Sequence, residues 1–186
     1  MTVPRFETPR LLLEPLQSSD AIQVQQIFPR WEIVRHLTNA VPWPYPADGA
    51  SYYINHIALP AMEAGQAWHW SLRYRSAPET VIGLISLRAG EEDNRGFWLV
   101  PEWQGQGLMS EACAVVTDYW FLTLKQPRLR VPKAMDNLAS RRISERTGMR
   151  LIDTFSKAFV GGEMLAGNWE ITQEEWLAQR TQKSAP

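Results

Sequence analysis

A chain of 186 residues, 45% hydrophobic and 21% charged, has the length and composition of one globular domain. Nineteen Lys and Arg against twenty Asp and Glu leave a formal charge of −1, which argues against a nucleic-acid binder. The single cysteine, Cys113, excludes a disulfide framework and a cysteine-based zinc site. No apolar run approaches the ~20 residues of a membrane span, and Met1-Thr2-Val3-Pro4 does not open a signal peptide. A cytoplasmic protein is expected, with residues 1–182 forming one domain and 183–186 a frayed end.

Arg10-Leu11-Leu12-Leu13-Glu14-Pro15-Leu16 is an apolar run stopped by proline and predicts a first strand. Ser18-Ser19-Asp20 supplies N-cap chemistry for a helix through Phe28. Pro42, Pro44 and Pro46, interleaved with Trp43 and Tyr45, force a loop from Asn39 to Gly49. The next helix spans Ser51 to Ala64, with Tyr53, Ile57 and Ala61 on one face and Gly65 as its stop. Two strands, Ala67 to Tyr74 and Val81 to Leu87, flank a turn at Ser76-Ala77-Pro78-Glu79. Gly96-Phe97-Trp98-Leu99-Val100 predicts another, closed by Pro101.

From Leu108 the pattern changes, because Leu108, Ala112, Val115, Tyr119 and Leu122 recur at the spacing of an amphipathic helix. Leu129 to Met135 predicts a strand in which Pro132 marks an edge or a break in pairing. Asn137 caps a short helix ending at Gly148. Strands follow near Arg150–Phe155 and Asn168–Ile171, and Thr172-Gln173-Glu174-Glu175 is a capping-box pattern ahead of Trp176.

The chemistry concentrates at Trp103-Gln104-Gly105-Gln106-Gly107, where a strand turns directly into a helix. Glycine accepts positive φ and leaves room for close approach, and successive amides there meet the positive end of the helix. Such a turn suits a pyrophosphate. Spacing alone equally allows a tight turn that holds nothing. Two nucleotide motifs fail: no Lys-Ser/Thr pair follows the glycines, and Ser110 stands at the third glycine of the dinucleotide fingerprint.

The segment Trp103-Gln104-Gly105-Gln106-Gly107-Leu108-Met109-Ser110-Glu111-Ala112 resembles the acetyl-CoA pyrophosphate turn of the GNAT acetyltransferases. It is most similar to their RimJ/RimL branch of ribosomal-protein N-terminal acetyltransferases. Thr8-Pro9-Arg10-Leu11-Leu12-Leu13 resembles that branch's opening strand and Gly96-Phe97-Trp98-Leu99 its glycine–aromatic–tryptophan strand. Asn137 to Met149 resembles its Asn-x-x-Ser helix. The resemblance covers nearly the whole chain. It implies an α/β (α+β) fold: a mixed, mostly antiparallel twisted sheet with flanking helices. In its centre Gly96–Val100 and Leu129–Met135 would splay apart.

The resemblance further implies acetyl-CoA as cosubstrate, its pantetheine arm in the splay, and no metal. Trp98, Leu99 and Val100 would offer main-chain groups to the arm, as an added strand does. Gln104, Gly105, Gln106, Gly107, Leu108, Met109 and Ser110 would wrap the pyrophosphate. Ser140 would stabilise the leaving thiolate or relay a proton, the alternative being a helix-capping role. Asn137 is either that helix's N-cap or a contact to the arm. Three residues depart from the pattern: Glu102, expected to face solvent where Gln or Arg is usual, Asn94 where Glu is frequent, and Met149, a core swap where Phe is common.

The implied activity is direct transfer of an acetyl group to a primary amine, on a protein N-terminus or a small molecule. Nucleic acid and membrane are not expected partners, and a homodimer is left open. No base stands out, since His36, His56 and His69 are scattered and Glu63 and Glu111 look like surface acids. Cys113 is expected in the core, and Trp43-Pro44-Tyr45-Pro46 either walls the acceptor side or covers the core. A catalytically silent acyl-CoA-binding module is the alternative, favoured by Asn94. A nicotinamide-dependent oxidoreductase is a third reading, weakened by Ser110.

Overall fold

The computed structural model describes residues 2–183. Five strands pair antiparallel in chain order: β1 (Phe6–Glu7), β2 (Leu11–Pro15), β3 (Ala67–Tyr74), β4 (Ala77–Arg88) and β5 (Arg95–Leu99). Because both faces of this sheet are covered, β3 is buried on both sides from Ala67 to Leu72 instead of alternating. One face carries α1 (Ala21–Ile27), α2 (Trp31–Val34), α3 (Gly49–Tyr53) and α4 (Leu59–Glu63), packed around Val24, Phe28, Ile54 and Leu84. A π-helical turn, Ile54–Ala58, joins α3 to α4. The other face carries α5 (Leu108–Asp118), whose Leu108, Ala112, Cys113 and Val116 share a core with Trp70, Leu72, Ile85 and Leu87.

A second sheet has β8 (Gly162–Thr172) in the middle, flanked by β6 (Arg128–Ala134) and β7 (Arg150–Phe159), again antiparallel. α6 (Leu138–Arg146) and α7 (Gln173–Lys183) pack beside it. Both begin as their caps dictate: Asn137 Oδ1 accepts the Ser140 amide at 3.2 Å, and Thr172 Oγ1 accepts the Glu175 amide while Glu175 accepts that of Thr172.

Among the described residues the backbones of the two sheets are hydrogen-bonded at one point. The Asn94 amide donates to Arg130 O and the Arg130 amide to Asn94 Oδ1, both at 2.8 Å, while no ladder joins β5 to β6. Beyond this vertex the strands part, which gives the expected splayed pair. Pro132 sits on the edge that faces the splay. Pairing of β6 with β8 runs unbroken through Pro132↔Asn168, so the missing donor disrupts nothing.

Several boundaries differ from expectation. The buried positions of the second helical stretch are Ala50, Ile54 and Ala58, while Ile57 is 49% exposed. Leu122 leaves the α5 stripe because the helix widens into a π turn at Tyr119–Thr123. The β3–β4 turn is Arg75-Ser76, and Pro78 lies inside β4. β7 and β8 are a long hairpin where two short strands were expected. Antiparallel order removes the parallel sheet that a nicotinamide-binding fold requires. Of the expected frayed end, Lys183 is helical and 184–186 lie outside the described residues. No helix among the described residues is long and apolar enough to cross a membrane.

Candidate active site

Gly105 and Gly107 take φ of +74° and +79°, and Gly107 stands as the N-cap of α5. A Cβ on Gly105 would meet nothing within 4 Å, and one on Gly107 only Arg10 Nη2 at 3.5 Å. The bend is therefore required by conformation while the space above it stays open. Leu108, Met109 and Ser110 open the helix, so their amides have no intrahelical acceptor, and Leu108 and Met109 bury their side chains beneath. Among the described residues no backbone acceptor takes the amides of Gly105, Gln106 or Gly107 either.

The acids near this turn are neutralised. Glu111 accepts the Thr8 hydroxyl, the Arg10 amide at 2.8 Å and Arg10 Nε at 2.9 Å. Burial works to raise the Glu111 carboxyl, but these hydrogen bonds outweigh it and hold the group below its ordinary value. Arg10 also donates to Gln106 O at 2.8 Å, which ties the turn to the β2 edge. Glu111 is thus a brace of the turn and not a base. Glu102 faces solvent as expected and pairs with Arg30 at 2.6 Å.

One cavity of about 1010 Å³ extends from the turn through the splay to the α1–α4 side. Its walls include Gly105, Gly107 and Ser110, then Pro132, Lys133 and Ser140, and finally Tyr45, Tyr53 and His69. Alternation decides which main-chain groups of β5 face it. The Val100 amide donates to Ile82 O at 2.9 Å, so Trp98 and Gly96, of the same parity, also turn theirs toward β4. Of Trp98, Leu99 and Val100, only Leu99 presents its main chain to the splay, joined by Phe97, which sequence reasoning passed over. The Leu99 carbonyl is already taken by Gln104 Nε2 at 2.7 Å.

Ser140 is not a capping hydroxyl. Its Oγ lies 2.6 Å from Lys133 Nζ, and Asn137 caps the helix alone. Lys133 is only 5% exposed, with its ammonium 4.8 Å from the Phe97 ring centroid. Burial, aided by positive Arg95, pushes Lys133 down to about 7 from its ordinary 10.5. Arg95 is 1% exposed and donates to Thr117 Oγ1 at 2.9 Å. Neither cation stood out in the sequence. The signal was there in the alternation Leu129, Val131, Lys133, which aims a lysine the same way as two core residues.

Asn94 is fully buried and fully engaged: Nδ2 donates to Arg88 O at 3.2 Å and Gly90 O at 2.8 Å, besides the vertex bonds. It serves as a stitch between the two sheets. On the acceptor side, burial and then Arg88 push the His69 imidazole down to about 4, leaving it neutral. Tyr45 both packs on Phe28, ring centroids 5.0 Å apart, and lines the cavity, its hydroxyl pushed up to about 12 by burial and then Tyr53. Trp43 instead packs on Trp31 at the surface. Cys113 is a core residue whose thiol burial pushes up.

A family model described as an acetyltransferase (GNAT) domain matches residues 10–150. Over 94 residues the chain is 32% identical to YdaF of Bacillus subtilis (strain 168), a protein assigned as a ribosomal N-acetyltransferase. That match covers 48% of this chain and 46% of YdaF, so it spans about half the length of the curated relative. Among solved structures, a ribosomal-protein-S5-alanine acetyltransferase from Vibrio fischeri superposes with a TM-score of 0.79 at 17% identity. It covers 93% of this chain and 98% of its own. RimL, a ribosomal L7/L12 alpha-N-protein acetyltransferase solved with coenzyme A, gives 0.73 at 20% identity, over 91% and 97%.

Proposed function

The chain belongs to the GNAT acetyltransferases, and from that premise we propose that it moves an acetyl group from acetyl-CoA to a primary amine by direct attack on the thioester. The observation that carries this reading is the open glycine turn, whose unpartnered amides at a helix N-terminus suit a pyrophosphate and whose acids are neutralised. Residues 1–182 would act as one domain, in the cytoplasm. Relatives named for ribosomal proteins favour a protein N-terminus as acceptor over a small molecule.

Acetyl-CoA, when bound, supplies the activated acyl group. Gly105 to Ser110 would hold the diphosphate by their amides, and Phe97 and Leu99 would meet the amides of the arm. Neutral His69 would accept a hydrogen bond from the incoming amine, which must shed its proton before attack. Ser140 would face the departing sulfur.

Incubation with acetyl-CoA and a panel of peptides and small amines, monitored for free thiol, tests the reading. Amine-dependent thiol release is expected. Tight CoA binding without turnover on any amine would favour the silent acyl-CoA-binding module.

A further inference from the structure

We propose that Lys133 is the proton source for the departing thiol, acting through the Ser140 hydroxyl, and that Lys133 and Arg95 together supply the positive charge that stabilises the thiolate. The inference rests on the reading that acetyl-CoA occupies the cleft with its thioester beside Ser140.

Two buried cations act on one another here, and among the described residues neither is paired with an acid. Lys133 Nζ has Ser140 Oγ at 2.6 Å and the Phe97 ring as its neighbours. Arg95 bonds to two uncharged groups, Thr117 Oγ1 and Met149 Sδ at 3.6 Å, and its Nε has no partner. Among the described residues neither cation enters an ion pair. The charged or titratable groups acting on Lys133 are Arg95 and Asp93 around β5 and the Cys113 thiol of α5. Asp93 is engaged by Arg88 at 3.1 Å, and Cys113 is held as the neutral thiol by burial.

Burying one cation without an anion is costly, and a second beside it compounds the cost. Packing alone would place Leu or Met at position 133, on the face that Leu129 and Val131 share. The arrangement makes sense if an anion forms here in turnover. The thiolate is that anion, since Ser140 and Lys133 both line the cleft.

The step balances. The amine lone pair attacks the thioester carbon, the C–S bond breaks and its electron pair goes to sulfur. Ser140 Oγ gives its proton to sulfur while the Lys133 ammonium gives one to Oγ. The nitrogen sheds its surplus proton on becoming an amide, and that proton restores Lys133 through solvent in the cleft. Ser140 touches the reacting atom, and Lys133 acts through it.

The test titrates the thiol of bound CoA by the ultraviolet absorbance of its thiolate, with affinity measured by calorimetry. In the wild-type complex the bound thiol should titrate at least about one unit below free CoA, whose class of thiol lies near ~8.5. Lys133→Met should move it at least halfway back toward the value of free CoA, Arg95 holding the remainder. With an amine acceptor, Lys133→Met should lower kcat by roughly 10² or more and abolish the fall of kcat at alkaline pH. KM for acetyl-CoA should stay within about threefold, since the change touches only the transition state. Failure of the wild type to bind CoA would refute the reading of the cleft. Binding with an unshifted thiol, or a shift that survives Lys133→Met undiminished, would overturn the role of Lys133 and leave the cleft reading standing. So would mass-spectrometric detection of acetyl-Lys133 after incubation with acetyl-CoA alone, which would make the lysine an acceptor.

Discussion

Replacing Lys133 by Met should stabilise the protein, and do so in a pH-dependent way. Met keeps the length of the side chain and removes the buried charge. The lysine falls from 10.5 to about 7 on folding, chiefly through burial, which at about 1.4 kcal/mol per unit costs about 5 kcal/mol. Met also loses the Nζ–Ser140 bond and leaves Oγ without its partner, an offset of about 1–3 kcal/mol. A net gain of about 2–4 kcal/mol is expected at pH 6, or roughly 4–16 °C in Tm for a domain of this size. The sign follows from proton counting. Between about 7 and 10.5 the unfolded chain holds the lysine proton and the folded chain does not, so wild-type stability rises with pH there. The advantage of Met should therefore be full below pH 7, shrink through that window and vanish or reverse above it. Urea denaturation of both proteins from pH 6 to 10 measures this. A variant less stable than wild type at pH 6, or a difference flat in pH, would refute the picture of a lysine stripped of its proton by burial.

Gly107→Val should abolish CoA binding in calorimetry, because a β-branched residue resists φ of +79° and projects into the open space above the turn; unchanged affinity would displace the pyrophosphate site. Ser140→Ala should lower turnover by about 10-fold or more while sparing CoA affinity, measured by steady-state kinetics and calorimetry; equal activity would reduce Ser140 to a partner for Lys133. Asn94→Asp sets a buried carboxylate against two carbonyls that now receive an N–H, and should cost about 3–5 kcal/mol at pH 7. Urea titration checks it, and a loss under about 1 kcal/mol would mean the vertex is not held by that side chain.

What the sequence disclosed was local chemistry. Asn137, the Thr172–Glu175 box and the glycine bend each act through neighbours a few residues away, and each stands where expected. What it hid depends on distant partners. Glu111 looks like a surface acid until Thr8 and Arg10 arrive from the β1–β2 turn, about a hundred positions earlier. Asn94 looks like a lost carboxylate until Arg130 comes alongside. The π turn at Tyr119–Thr123 escaped because an added residue per turn shifts a helical stripe without altering composition, which is how Leu122 came to be exposed, while Ile57 is exposed because the buried face of its helix runs through Ala50, Ile54 and Ala58. The β7–β8 hairpin escaped because β7 is exposed from Arg150 to Ser156, so no apolar alternation announces it.

The splay itself needs a physical account, since two strand edges facing a gap leave backbone groups unpaired. The chain disposes of several of them within its own structure. Arg130 N and O are taken by Asn94, the Leu99 carbonyl by Gln104, and the Ala134 carbonyl by the Asn137 amide at 3.1 Å. Pro132 has no N–H to satisfy on the edge where one would be stranded. The groups left open along the two walls include the N–H and C=O of Arg95 and Phe97, the Leu99 N–H, the Pro132 carbonyl and the Ala134 N–H. That is a short run of donors and acceptors on two walls, spaced as strand edges are. An extended ligand carrying its own amides would satisfy it, whereas an apolar one would bury those groups unpaired. The same accounting explains why the cleft does not zip shut into one continuous sheet: proline denies the ladder a donor midway, and the stitch at Asn94 sets the angle from which β5 and β6 diverge.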